Sequence, residues 1–260
     1  MTPIHAFFTP FYAFLLGVSI GSFLNVCILR HKSGDSIVVP ASSRCPRCRH
    51  PLSWFENIPL LSFLCLQGRC RHCGRPISLQ YPLVEALTGF LFWSTAMLYE
   101  DPFQITAGYF WSSFLVLLVV SDIKWHILPH PFNNIFVTAG FTYSAAVGLR
   151  AGSDVPVLSS VEGFLGAGAL MLFLTHWYPQ GLGGGDVKMI AAFGAWFGLT
   201  KSLLVVFLAF GAGAILTLPL LLAGRVHRKT LLPFGPFLAA SAMFVWVRPE
   251  QAQYLLDRMT

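Results

Sequence analysis

The sequence is poor in charged residues. Asp, Glu, Lys and Arg make up only 11% of the 260 residues, whereas a soluble domain carries about 25%. Hydrophobic residues account for 55% of the chain, and its mean hydropathy is +0.65. This composition excludes an ordinary soluble domain and indicates an integral membrane protein.

The sequence also lacks motifs that would point to other functions. The glycine-rich residues 181–186 are followed by Val187-Lys188-Met189, without the Lys-Ser or Lys-Thr pair of a P-loop, and they do not match G-x-G-x-x-G. The net charge of +6 is spread over short segments between apolar runs, so we expect no nucleic-acid partner. No Lys or Arg precedes Phe7, and no A-x-A-type site follows the first apolar run. We therefore expect that run to remain as a membrane anchor.

Eight apolar stretches follow one another along the chain. They are residues 7–29, 81–99, 104–120, 132–148, 161–177, 187–198, 202–222 and 236–247. A membrane-spanning helix needs about 17 to 25 residues, so the sixth and eighth stretches are short, and six or seven spans remain possible. The sequence predicts an all-α polytopic membrane protein with about eight transmembrane helices.

The basic residues predict the orientation of these helices. If residues 30–80 are cytoplasmic, that side carries thirteen Lys and Arg residues: Arg30, Lys32, Arg44, Arg47, Arg49, Arg69, Arg71, Arg75, Lys124, Lys188, Arg225, Arg228 and Lys229. The other side carries four: Arg150, Lys201, Arg248 and Arg258. Because Lys and Arg collect in cytoplasmic loops, we expect both termini outside and the aspartates discussed below near the cytoplasmic face.

Residues 30–80 form a long polar segment that contains two C-x-x-C pairs. Cys45-Pro46-Arg47-Cys48 and Cys70-Arg71-His72-Cys73 are separated by 21 residues, a spacing typical of a tetrahedral four-cysteine zinc site. A loop of about fifty residues buries too little apolar surface to fold alone, and a structural metal supplies the missing free energy. Disulfides or free thiols are the alternatives, although disulfides are rare in a reducing compartment.

The other candidate ligands in this part of the chain receive simpler interpretations. His50 and His72 are alternative metal ligands, but we expect solvated loop histidines. We expect Cys27 and Cys65 to pack as small apolar side chains. We see no internal repeat in the sequence.

Two aspartates stand at the edges of apolar runs. Asp122 follows the third run, and Asp186 follows three consecutive glycines. Two carboxylates brought close together share a proton, so that one activates a water molecule and the other protonates a substrate carbonyl. The sequence predicts this catalytic pair. The simpler alternative is that each aspartate is a helix-end charge paired with Lys124 or Lys188.

Three neighbouring features favour the catalytic interpretation. Leu128-Pro129 ends the helix after Asp122 and defines a loop. The glycines before Asp186 allow close approach of the backbone and place this residue near a helix N-terminus. Residues 233–237, Pro-Phe-Gly-Pro-Phe, read either as a helix entry or as a loop that lines the aspartate pair.

Together these segments resemble the bacterial type IV prepilin peptidases. The matching segments, in family order, are Gly21-Ser22-Phe23-Leu24-Asn25-Val26, Ser43 through Cys48, Cys70 through Cys73, Tyr81-Pro82-Leu83-Val84-Glu85, Asp122 through Pro129, Gly183 through Lys188, and Pro233 through Phe237. One departure is His130, where many relatives carry Asp or Asn, and we interpret it as a loop histidine.

The resemblance implies an inner-membrane aspartic protease whose catalytic residues fall on Asp122 and Asp186. Its substrate would be a prepilin or pseudopilin with a basic leader, cut after a glycine at the cytoplasmic face. The family then N-methylates the new terminal residue with S-adenosylmethionine, an activity associated with the cytoplasmic cysteine loop. The implied domains are a first helix in residues 1–29, a zinc-binding domain in 30–80 and a transmembrane peptidase domain in 81–260.

A second hypothesis comes from a different class of protein. A transporter or ion-coupled channel with a regulatory zinc ribbon would also place carboxylates such as Asp122 and Asp186 in the membrane. Transport sites usually lie near the midplane, whereas these aspartates are expected at one face. We therefore favour the peptidase.

Overall fold

The structure is a computed structural model that describes residues 3–34, 36–37, 43–125, 130–177, 182–224 and 234–259, without the side chains of residues 3–8, 220 and 259. These residues contain ten α-helices: α1 (Pro3–Ser33), α2 (Leu61–Cys65), α3 (Gln80–Leu98), α4 (Pro102–Trp125), α5 (His130–Ala151), α6 (Val155–Trp177), α7 (Gly184–Phe197), α8 (Leu199–Leu222), α9 (Gly235–Val247) and α10 (Pro249–Met259). A 3₁₀ turn covers Trp54–Asn57. No β-strand occurs in the described ranges, so the all-α prediction is confirmed.

Among the described residues, four helices are long and apolar enough to cross a membrane. They are Thr9–Ser33 within α1, the whole of α4 and α6, and Leu199–Pro219 within α8. Each of the eight predicted apolar stretches falls largely within one helix, but α7 has only 14 residues and α9 only 13. The structure therefore supports a membrane protein, while length and composition identify four spans rather than eight.

The chain divides into two compact units, Met1–Leu117 and Leu118–Thr260. In the first unit, α1 and α3 pack closely because glycines keep the contact free of side chains. A Cβ at Gly17 would lie 2.8 Å from the Cα of Gly89, and a Cβ at Gly21 would lie 2.8 Å from the Cα of Glu85. The small residues thus bring the backbones of the two helices together.

In the second unit, the short helix α7 lies in the core. Met189 of this helix is fully buried. Toward α6, a Cβ at Gly163 would lie 2.6 Å from the carbonyl carbon of Gly198, so only a glycine fits there. Toward α5, the indole Nε1 of Trp196 donates a hydrogen bond of 2.9 Å to the carbonyl oxygen of Phe136. Neighbouring helices therefore fix α7 from two sides.

Helices α5 and α7 run parallel. Phe136 packs edge-on against Phe193, with ring centroids 6.2 Å apart. One turn further along both helices, a Cβ at Gly140 would lie 2.8 Å from Cδ1 of Trp196. Because the contacts advance in the same direction, the first turns of α5 and α7 lie at the same end of the unit. Asp186 is on that first turn of α7.

Candidate active site and metal centre

Asp186 lies in the first turn of α7, where the preceding glycines let the chain turn into the helix. Its carboxylate accepts a hydrogen bond of 2.9 Å from the N–H of Gly183, and its own N–H donates to the carbonyl oxygen of Gly183 at 3.0 Å. A carboxylate at this position satisfies a backbone donor that has no partner within the helix. The side chain is only 8% exposed, so it is held in place and largely shielded from water.

Asp122 lies in the last turn of α4 and is also 8% exposed. The start of α9 approaches it closely: a Cβ at Gly235 would lie 2.9 Å from the Cγ of Asp122 and would overlap one of its carboxylate oxygens. Only glycine therefore leaves room for the carboxylate. The expectation that residues 233–237 line the pair holds at Gly235, whereas Pro233, residues 225–229 and Leu128-Pro129 lie outside the described residues.

The two carboxylates influence each other. Asp186 precedes the apolar segment 187–198, and burial raises the pKa of its carboxyl to about 6. The hydrogen bond from Gly183 opposes this rise, while the negative charge of Asp122 adds to it. The two aspartates are therefore close enough to interact, and near neutral pH a proton is held on Asp186 for an appreciable part of the time.

The neighbouring lysines take partners other than the aspartates. Lys188 Nζ lies 2.9 Å from Nδ1 of His130, the first residue of α5. Lys124 Nζ lies 5.6 Å from the centroid of the Trp125 ring. These positions do not support the alternative in which each aspartate is neutralised by the lysine two residues later. They also correct the interpretation of His130, which begins a helix and joins it to α7.

The four cysteines of the C-x-x-C pairs form one cluster. The Sγ atoms of Cys45, Cys48, Cys70 and Cys73 all lie within 4.8 Å of one another, and those of Cys45 and Cys73 are 4.0 Å apart. A tetrahedral zinc–thiolate site with bonds of about 2.3 Å has sulfur atoms roughly 3.8 Å apart. The cluster contains no disulfide. Its geometry and its sulfur donors fit a metal ion such as zinc.

The cluster is built from two similar hairpins, so the expectation of no internal repeat is wrong. Residues 44–53 and 69–78 share the pattern Arg-Cys-x-x-Cys-x-x-Pro-[Leu or Ile]-Ser. In the first hairpin the N–H of Cys45 donates to His50 O at 3.0 Å, and in the second the N–H of Cys70 donates to Arg75 O at 2.9 Å. An Arg–Pro β-bridge closes each hairpin. Ten residues with five identities are easily overlooked in a chain of this length.

Side chains next to the cluster hold the segment together. The rings of His50 and His72 stack with centroids 3.4 Å apart, and neither histidine belongs to the cluster of candidate ligands. Nε2 of His72 lies 3.9 Å from Oε1 of Glu56. The N–H of Ser53 donates to Glu56 at 2.8 Å and lowers the pKa of its carboxyl, as do the charges of His72 and Arg71. Glu56 is thus a stabilised anion.

A second polar group, which the sequence analysis did not identify as a unit, joins α1 to α3. Nδ2 of Asn25 donates to the carbonyl oxygen of Tyr81 at 3.3 Å, and Nε2 of Gln80 donates to Oδ1 of Asn25 at 3.0 Å. Asn25 is fully buried. Nearby on α3, Glu85 accepts a hydrogen bond of 2.8 Å from the N–H of Leu60. In the sequence, the polar amide of Asn25 inside an apolar run is the feature that could have indicated this group.

The two lone cysteines differ from each other. Cys27 is 4% exposed and packs as a small apolar side chain, as expected. Cys65, the last residue of α2, is exposed. The prediction of apolar packing is therefore wrong for Cys65.

These features define an α-helical membrane protein with a coupled pair of buried carboxylates in one unit and, in the other, a four-thiol cluster that fits a metal ion. The model of the bacterial peptidase A24 N-terminal domain matches residues 15–99, and the model of the type IV leader peptidase family matches residues 109–218. The chain belongs to the type IV leader peptidase family.

Curated relatives agree with this assignment. The prepilin leader peptidase/N-methyltransferase of Myxococcus xanthus (strain DK1622) is 39% identical over 231 residues, covering 86% of this chain and 68% of the relative. The protein of the same name from Aeromonas salmonicida (strain A449) is 35% identical over 257 residues, covering 87% and 86%. That of Bacillus subtilis (strain 168) is 32% identical over 240 residues, covering 90% and 92%. No solved structure matches the chain. Nothing in these comparisons supports a transporter or channel.

Proposed function

We propose that this protein cleaves the basic leader peptide of a prepilin or pseudopilin and then N-methylates the new terminal residue. Family membership gives the two activities, since the relatives are named for both. The observation that carries the peptidase assignment within this chain is the pair Asp122 and Asp186. Both carboxylates are buried, and they interact electrostatically in one unit.

The proposed peptidase mechanism assigns one role to each aspartate. Asp186, whose pKa is raised, carries the shared proton and donates it to the carbonyl oxygen of the scissile peptide bond. Asp122 accepts a proton from the attacking water molecule. The hydrogen bond from Gly183 fixes the orientation of the Asp186 carboxyl, and the absence of a side chain at Gly235 leaves space beside Asp122.

Amide substitutions test this assignment. We expect Asp122→Asn and Asp186→Asn each to lower leader cleavage by at least about 100-fold, because neither amide transfers the required proton. The exposed Asp154 provides a matched control, and Asp154→Asn should cleave at the normal rate. Cleavage of a purified prepilin in detergent or vesicles measures the effect, with membrane insertion checked in parallel. Normal cleavage by either pair variant would overturn the assignment.

We propose that Cys45, Cys48, Cys70 and Cys73 hold a structural zinc ion in their thiolate forms. Zinc would supply folding free energy to residues 43–79, where helical structure is sparse. Elemental analysis of the reduced protein should give about one zinc per chain, as a four-thiolate site requires. Cys70→Ser should lower that content, while Cys65→Ser, outside the cluster, should not. Zinc-free wild-type protein would contradict the proposal.

We propose S-adenosylmethionine as the methyl donor. We also propose three domains along the chain: a first helix in residues 1–29, a domain linked to methyl transfer in residues 30–80 and a peptidase domain in residues 81–260. Labelled methyl transfer from this donor to a cleaved pilin tests the activity. Absence of transfer, with cleavage intact, would limit the enzyme to proteolysis.

We propose a multi-pass bacterial inner-membrane protein in which α1 and α3 to α9 make eight crossings, with both termini periplasmic. The distribution of basic residues supports this topology, and the parallel course of α5 and α7 is consistent with it. Reporter domains fused after α3 and after α8 should lie on opposite sides of the membrane. The same location for both would contradict eight crossings.

A further inference from the structure

Glu85 is a buried carboxylate that has no positively charged partner among the described residues. It lies in the second turn of α3 and is 6% exposed. In the ranges that the structure describes, no Lys, Arg or His nitrogen lies within 4.0 Å of its carboxylate, and the ion pair that does occur joins His72 to Glu56. A buried anion without a counter-ion is strongly disfavoured, so such a residue indicates a role in binding or chemistry.

Neutral groups hold Glu85 in place. The N–H of Leu60 donates to its Oε2 at 2.8 Å, and the side chain of Ser22 lies close to the carboxylate. Leu60 has a positive φ of 60°, so this contact fixes a strained point of the segment between α1 and α3. The side chain is therefore pre-positioned, although these contacts need only a hydrogen-bond acceptor and no negative charge.

Comparison with Glu56 shows what Glu85 lacks. Among the described residues of the first unit, these two glutamates are the buried carboxylates. Glu56 accepts a hydrogen bond from the N–H of Ser53, and His72 and Arg71 lie near enough to lower the pKa of its carboxyl further. Its charge is therefore stabilised by contacts within its own segment, whereas the described residues supply no cation to Glu85.

The methyl-transfer reaction supplies such a cation. The free α-amino group of a cleaved pilin has a pKa of about 8, so near neutral pH it is mostly ammonium and has no lone pair for attack. A buried carboxylate binds this ammonium and takes its proton. The freed lone pair then forms the N–C bond to the methyl group while the C–S bond of the sulfonium donor breaks, and a neutral thioether leaves.

We propose that Glu85 binds the α-ammonium group of the cleaved pilin and accepts its proton during N-methylation. This role rests on the proposed methyltransferase function. It distinguishes the two buried glutamates of the first unit: Glu85 acts on the substrate, and Glu56 stabilises the cysteine segment.

Kinetics with the full-length protein in detergent test the role. The substrate is a synthetic peptide that begins with the free α-amino group of a cleaved pilin, and the donor is labelled S-adenosylmethionine. Glu85→Gln keeps an acceptor for Leu60, and we expect it to lower kcat/KM for the peptide by at least about 100-fold. The KM for the donor, the zinc content and leader cleavage should not change. Glu85→Asp should restore part of the rate. The exposed Glu100 of the same unit provides the matched control, and Glu100→Gln should methylate normally.

A binding measurement separates this proposal from the methyltransferase function itself. The unaltered protein should bind the free-amine peptide more tightly than its N-acetylated form, and Glu85→Gln should lose that preference. If the unaltered protein shows this preference but transfers no methyl group, the ammonium site would be supported and the methyltransferase function refuted. Normal methylation by Glu85→Gln would overturn the proposal. So would a raised KM for S-adenosylmethionine alone, because Glu85 would then pair with the sulfonium.

Discussion

The cysteine segment and the aspartate site place their functional side chains in opposite ways. In the cysteine segment, two short hairpins of similar sequence each supply two thiols, so local spacing sets most of the geometry. In the second unit, Asp122 comes from the end of α4 and Asp186 from the start of α7, and contacts distant in sequence bring them into range. We therefore expect the cysteine segment to depend on a bound ion for its stability, and the aspartate site to depend on the packing of helices.

The largest expected effect comes from metal removal. Zinc binding by four-cysteine sites contributes about 10 to 16 kcal/mol, more than a segment of this size gains by burial. Treatment with a strong chelator, or Cys70→Ser, should abolish hydrogen-exchange protection in residues 43–79 and leave that of α7 unchanged. Cys65→Ser serves as the control because its thiol lies outside the cluster. Equal loss of protection in α7 would show that the two regions are not independently stabilised.

A methyl group at Gly235 should affect the aspartate site alone. Its Cβ would collide with the carboxylate of Asp122, and a displacement of about 1 Å at a catalytic group lowers the rate by about 100-fold. We therefore expect Gly235→Ala to lose leader cleavage to that extent while its zinc content stays normal.

Gly213→Ala is the matched control for this substitution, since a Cβ at Gly213 in α8 would meet no atom within 4 Å. Cleavage rates of the two alanine variants, measured at saturating prepilin, give the comparison. Equal rates would show that the space beside Asp122 is not needed.

The difference between local and distant contacts also explains which features of the two sites could be predicted from the sequence. The four candidate metal ligands are recognisable because each C-x-x-C pair is a local pattern, and the aspartates because charge is rare at the ends of apolar runs. The contact of Gly235 with Asp122 and that of Lys188 with His130 join residues more than 50 positions apart, so spacing along the chain gives no sign of them. The eight apolar stretches locate eight of the helices and indicate that α7 is short, but they do not reveal α10.

Asp186→Asn should stabilise the protein in a pH-dependent way. Burial raises the pKa of Asp186 to about 6, so the ionised form opposes folding, and stability falls as the pH rises through that value. A rise from an ordinary Asp value near 4 corresponds to about 3 kcal/mol, which sets the upper limit of the gain. The thermal unfolding midpoint of Asp186→Asn should exceed that of the natural protein at pH 8 and match it at pH 4.

The exposed Asp154 again provides the control for this substitution, because Asp154→Asn should show no such pH-dependent difference. A gain for Asp186→Asn that is the same at both pH values would indicate that burial of the charge is not its cause.

The smallest expected effect compares the two cysteine hairpins with each other. After the second cysteine of each pair the backbone turns into the left-handed region, with φ of 58° at Arg49 and 67° at Gly74. A side chain in that conformation costs about 1 kcal/mol, whereas glycine adopts it freely. Arg49→Gly should therefore stabilise the cysteine segment by up to about 1 kcal/mol, seen as slower hydrogen exchange in residues 43–53.

Gly74→Ala is the converse substitution. A Cβ at Gly74 would meet no atom within 4 Å, so any destabilisation must come from the backbone conformation alone. Opposite changes in exchange for Arg49→Gly and Gly74→Ala would show that the hairpins are equivalent in backbone and unequal in sequence. A loss of protection in Arg49→Gly would instead mean that the Arg49 side chain itself stabilises the first hairpin by more than the strain of its backbone.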